Sequence, residues 1–104
     1  MPQQRLTDGE VLAGVKEMVG KGKVKWTPHS RERMEQRKYD SDQIKECLRT
    51  GYFTERPSIP NRPGPIEYKF TMRASIDGDF IEVAAALLPE TQVLVITVID
   101  PDKS

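Results

Sequence analysis

From Ile66 to Arg73 the chain reads Ile-Glu-Tyr-Lys-Phe-Thr-Met-Arg, an unbroken alternation of apolar and polar residues. Successive strand side chains point to opposite faces. This period of two therefore predicts a β-strand with one buried and one polar face. Ile66, Tyr68, Phe70 and Met72 form the apolar set, and Glu67, Lys69, Thr71 and Arg73 the polar one. Asp77-Gly78 follows as a turn signal. Phe80 to Leu88 then reads as a second strand, Pro89-Glu90-Thr91 as a turn, and Gln92 to Ile99 as a third strand. The third is rich in β-branched residues and almost continuously apolar, which predicts a central position in the sheet. Pro101 is expected to end the fold.

Working back from the sheet, Pro57 to Pro65 contains four prolines, an Asn and a Gly, and reads as a loop. It is either a functional flap or a plain connection. Tyr52 to Arg56 fits a further strand. Three helices are predicted before it. Thr7-Asp8-Gly9-Glu10 is a capping box, and Val11, Leu12, Val15, Met18 and Val19 fall on one helical stripe that Gly20 and Gly22 close. Lys23-Val24-Lys25-Trp26 alternates charged and apolar residues, as a short strand or an extended arm does. Thr27-Pro28 starts a second helix running to about Lys38, with Thr as cap and Pro in the first turn. Asp40 or Ser41 caps a third, with Ile44, Cys47 and Leu48 as its apolar stripe and Gly51 as its stop. The expected class is α+β: N-terminal helices packed on a three- to four-stranded antiparallel sheet.

The chain has 104 residues, the length of one domain spanning 1–104. With 37% hydrophobic and 31% charged residues it has a globular composition. The longest apolar run, Val83 to Leu88, is too short to span a bilayer, so no membrane association is expected. Cys47 stands alone and cannot form an internal disulfide. With no export signal evident near Met1, a cytoplasmic location is expected. The net charge of +0 hides an asymmetry. Residues 21–75 hold 13 Lys/Arg against 7 Asp/Glu, and the remainder 3 against 9, so +6 and −6 cancel. A basic middle is either a partner-binding face or ordinary surface charge. A neutral chain is not expected to bind nucleic acid strongly without specificity.

The second helix carries the candidate chemistry. From His29 to Lys38 only Met34 is apolar. His29, Arg33 and Arg37 recur every four residues and so share a helical face. If Met34 anchors the helix, Arg33 and Arg37 lie at the edge of the sheet with their stems packed. Two guanidiniums can hold a phosphate, and an imidazole can move a proton. Metal-free RNA cleavage by a neighbouring 2′-hydroxyl needs those functions. Equally, His29 can serve as a cap while the arginines pair with glutamates. Lys69 and Arg73 share the polar face of their strand and are the candidate substrate-binding groups, or else form an ordinary amphipathic strand. Tyr52 and Tyr68 can each stack on a base, but Tyr68 is on the apolar face and reads as core. No metal site is expected from one His and one Cys. No glycine-rich phosphate loop appears, and no cofactor is expected. Cys47 reads as a buried small hydrophobe.

Trp26-Thr27-Pro28-His29-Ser30, followed by Arg33-Met34 and Arg37, resembles the opening motif of domain-of-unknown-function family 4258. The capped helix at Asp40 to Leu48 and the closing Val95-Ile96-Thr97-Val98 follow in that family's order. The resemblance covers roughly residues 24–101, with the helix at 7–20 as an N-terminal addition. The family is similar in layout to small RelE, BrnT and MqsR-type toxins, which are metal-independent ribonucleases. The resemblance implies a RelE/BrnT toxin-like fold, RNA as substrate or ligand, and an antitoxin protein as partner. Only His29, Arg33 and Arg37 carry over from the motif. The neutral charge departs from the basic character usual in such toxins. The alternative is a non-enzymatic protein-interaction domain with a structural His/Arg network. An exposed first or last strand would offer an edge for a partner.

Overall fold

The computed structural model describes residues 5–61 and 63–99, so the expected stop at Pro101 lies outside the described residues. Three helices precede most of the sheet: α1 (Asp8–Gly20), α2 (Pro28–Arg37) and α3 (Ser41–Thr50). The strands are β1 (Val24–Trp26), β2 (Tyr52–Ser58), β3 (Tyr68–Ile76), β4 (Asp79–Leu88) and β5 (Gln92–Ile99). The class is α+β, and the sheet is larger than the three to four strands expected. It has five, in the order β1-β5-β4-β3-β2. The Lys23–Trp26 segment supplies the extra one, with Val24, Lys25 and Trp26 opposite Val93, Leu94 and Val95. This pairing is parallel, whereas the other three are antiparallel. Of the two readings of Lys23–Trp26, a short strand or an extended arm, the strand is the one observed, and so short a pattern does not say where in the sheet it pairs. Its backbone finds partners only because β5 needs one on that side.

The local signals operate as chemistry requires. Thr7 Oγ1 accepts from Glu10 N at 3.1 Å, and Glu10 Oε1 accepts from Thr7 N at 2.9 Å, closing the box that starts α1. Asp40 and Gln43 do the same for α3, at 2.8 and 3.0 Å. Asp77 and Gly78 both have positive φ, 52° and 88°, as a two-residue hairpin turn between β3 and β4 demands. Gly51 follows α3 as expected, but for a different reason from a left-handed stop. Its φ is −80°, and a Cβ there would meet Cys47 O at 2.5 Å and Arg73 O at 2.7 Å. The missing side chain lets the helix end lie against β3.

Helices α1 and α3 cover one face of the sheet. Ile44, Cys47 and Leu48 of α3 and Val11, Val15 and Met18 of α1 meet Phe70, Met72, Ile81, Val83 and Val95 from the strands. Tyr68 is core, as expected, and its hydroxyl accepts from Leu6 N at 2.9 Å. The polar face of β3, with Lys69, Thr71, Arg73 and Ser75, points the other way, where no helix packs on β3. No helix among the described residues is long and apolar enough to cross a membrane. The last strand, β5, is flanked by β1 and β4, so it is interior although β4 is the middle strand. The free edges therefore belong to β1 and β2, not to the last strand.

Candidate functional site

Helix α2 stands beside the second half of β5, where β1 stops. Thr27 fixes it there. Its backbone N–H donates to Val95 O at 3.2 Å, and its hydroxyl donates to Ile96 O at 2.9 Å while accepting from Ser30 N at 3.0 Å. The carbonyl used is available because β5 bulges at Ile96: Ala84 pairs with Thr97 and Ala85 with Val95. One threonine thus caps the helix and ties it to the sheet.

Ser30 is fully buried and marks the inward direction of α2. Met34, one turn on, packs against the core on the helix-covered side. Successive helix residues turn by about 100°, so Arg33 and His29 fall on the other flank of α2, nearer the open face of the sheet. Arg33 and Arg37 are half-buried and His29 is exposed. Arg37 Nε is shielded from solvent. A long 3.4 Å contact from Arg33 Nη1 to Gln36 Oε1 leaves the Arg33 fork loosely held. The two arginines are thus half-buried on a helix that packs beside β5, while the imidazole lies in water.

Lys69 and Arg73 lie elsewhere, on β3, with β4 and β5 between them and α2. Two strand spacings put β3 about 10 Å from β5. The sequence-predicted residues thus form two groups: His29, Arg33 and Arg37 at one rim, and Lys69 and Arg73 on the open face.

Around Arg73 the sheet gathers side chains that the sequence reading had not brought together. Glu82 sits opposite Arg73 on β4. Its Oε1 accepts from Arg73 Nε at 3.2 Å, from Arg73 Nη2 at 3.1 Å and from Thr54 Oγ1 at 3.1 Å. All three donors converge on one carboxylate oxygen, and among the described residues no hydrogen bond goes to Oε2. Glu82 is only 14% exposed and Arg73 35%, so the pair is partly shielded from water. A second carboxylate, Glu55, accepts from Thr71 Oγ1 at 3.1 Å. Thr54 and Glu55 both reach this face because β2 is irregular between Phe53 and Glu55, which breaks the strict alternation. Tyr52 stands opposite Arg73 on β2, and the Phe80 ring lies 6.0 Å from the Arg73 guanidinium carbon. One signal for Glu82 was present in the sequence: it is the only charged residue between Phe80 and Leu88.

The cluster offers a fixed cation, a carboxylate with one open oxygen, hydroxyl donors and two aromatic faces. That set can hold an anion, accept a proton and stack a planar group. Beneath it, on the covered face, Cys47 is a poor nucleophile. Burial, with a smaller contribution from the Glu82 charge, pushes its thiol up to about 12. Among the described residues no three His, Cys, Asp or Glu side chains gather as metal ligands. A cavity of about 330 Å³ opens between α1 and the β4–β5 turn, lined by Leu6, Met18, Tyr68 and Glu90 among others. None of its lining residues belongs to α2 or to the Arg73 cluster, so the open face, not this hollow, is the candidate site.

No curated protein and no solved structure matched the chain. The model of the family described as Domain of unknown function (DUF4258) matches residues 26–100, well over half of the chain, and the chain therefore belongs to that family.

Proposed function

We propose that this chain is a toxin-like, RNA-directed domain that cuts or holds RNA on the open face of its sheet without a metal ion. The observation that carries the reading is the Arg73–Glu82 pair, half-shielded on an uncovered β-sheet with one carboxylate oxygen uncommitted. In this mechanism Glu82 takes the proton of a 2′-hydroxyl as that oxygen attacks the adjacent phosphate. Arg73 balances the charge that grows on the phosphate. Water donates the proton to the leaving oxygen, while Lys69 on this face and Arg33 and Arg37 at the α2 rim, with His29 beside them, hold phosphates on either side of the cut. A RelE-like layout and an antitoxin that covers the same face, or adds to the free edge of β2, belong to the same proposal.

The test is direct. Purified protein is incubated with a fluorescent single-stranded RNA, beside Glu82→Gln, His29→Ala and Arg33→Ala, with expression of each scored for growth arrest. The expected result is cleavage by wild type, lost in Glu82→Gln. Intact RNA and unimpaired growth with folded wild type refute catalysis.

One observation favours a second reading. The Arg73 nitrogens that face Glu82 are already satisfied by it, as in a structural clasp across β2, β3 and β4. The domain is then a protein-interaction module, and Glu82→Gln lowers stability without touching any activity on RNA.

A further inference from the structure

Apolar rings left in water usually mean little when they are scattered singly. Here they are not scattered. The exposed large apolar side chains among the described residues are Tyr52 at 55%, Phe80 at 46% and Ile59 at 36%. Two of the three sit on one face beside one guanidinium. Phe53 pairs with Met72 and packs on the core, so Tyr52 points to the open side. Ile81 is buried in the core, so Phe80 points there too. Arg73 lies between them on β3, opposite Tyr52 and 6.0 Å from the Phe80 ring. The two rings stand on β2 and β4, two strand spacings apart and offset by two residues along β3, so about 12 Å separates the positions that carry them.

We infer that Tyr52 and Phe80 form a stacking platform for unpaired bases, which makes single-stranded rather than duplex RNA the ligand of this face. The inference rests on the RNA reading above and deepens it. Its chemistry is specific. A hydrophobic partner peptide needs a continuous apolar patch, and here the rings are separated by the charged Arg73–Glu82 pair. A nucleotide strand instead supplies flat π-faces to the rings and phosphates to the cations between and beside them. Lys69 lies four residues from Arg73 on the same face of β3, about 13 Å along the strand. That spacing lets the strand's backbone meet one cation between the rings and a second beyond the Tyr52 end. A duplex keeps its base faces stacked inside and cannot offer them.

The experiment measures fluorescence anisotropy of a short labelled oligouridine, and of the same length of RNA duplex, with the full chain. Tyr52→Ser, Phe80→Ser, Tyr52→Phe and, as a control, Ile59→Ser are compared after their folding is confirmed by circular dichroism. The platform predicts preference for the single strand and roughly tenfold to a hundredfold weaker binding for each serine variant. Tyr52→Phe and Ile59→Ser bind as wild type does, and the salt dependence is unchanged across the set, since no phosphate contact is removed. Serine variants that bind like wild type, or a duplex that binds as tightly as the single strand, overturn the platform while leaving RNA binding intact. A wild-type protein that binds neither RNA overturns both this inference and the reading it rests on. Single-strand binding that depends on both rings, with the RNA left uncut, supports the platform and removes only catalysis.

Discussion

Cys47 gives a prediction whose size follows from the structure. Its side chain is fully buried between α3 and the sheet, with the sulfur 3.4 Å from Ile81 O and 3.8 Å from Met72 O. Burial first, and the Glu82 charge second, raise the thiol from 9.0 to about 12. Above pH 9 the unfolded chain releases this proton while the folded chain keeps it. The unfolded state then binds fewer protons, so stability falls as pH rises from about 9 toward 12. With those two values, the contribution lost between pH 7 and pH 10 is on the order of 1 kcal/mol. The assay is urea unfolding in a reducing buffer at both pH values, for wild type and Cys47→Ala. Lysines and tyrosines titrate in both proteins and cancel in the difference. The expected result is that wild type loses on the order of 1 kcal/mol more than Cys47→Ala does. A difference that stays flat within a few tenths of a kcal/mol, with both proteins unfolding cooperatively, would refute the reasoning. It would mean that the sulfur meets water in the folded chain.

Three further outcomes are expected. Gly51→Ala destabilises by about 1–3 kcal/mol, because the new methyl meets the Cys47 and Arg73 carbonyls and backbone cannot swing aside. Gly20→Ala, with open space around it, stabilises by up to about 1 kcal/mol. Equal urea midpoints for the two would contradict this packing. Thr27→Val removes both the helix cap and the bond to Ile96 and costs about 1–2 kcal/mol. Hydrogen exchange should quicken in α2 and leave α3 unchanged, and uniform quickening would count against a local tether. Glu82→Gln abolishes any RNA cleavage but leaves oligouridine affinity within a few-fold, which activity and anisotropy on one preparation check together.

Much of the fold was legible because the signals were local. The alternation from Ile66 to Arg73 marked a strand, although the observed one runs from Tyr68 to Ile76. The capping box at Thr7, the cap at Asp40 or Ser41 and the cap at Thr27 located three helix starts, since a capping side chain reaches only two or three residues along its own chain. Burial of Tyr68 and Cys47 followed from the stripe each belongs to. The fifth strand was legible only as one of two alternatives, a short strand or an extended arm. Val24–Trp26 is short, and its partner lies about seventy residues away. The site was half legible. Spacing alone set His29, Arg33 and Arg37 along α2 and Lys69 with Arg73 on β3. It said nothing of how far apart those two groups stand.

The sequence by itself determined the element order, the class and which face of each helix and strand is apolar. These depend on the period of the chain and on groups a few residues apart. Only the tertiary structure decided that Glu82 meets Arg73, that Thr54 and Glu55 both reach the open face, and that Tyr52 and Phe80 flank one guanidinium. Those neighbours come from three different strands, and their meeting depends on register and on a bulge. Hydrogen bonds between strands fix register, and no pattern along a single strand records its partner.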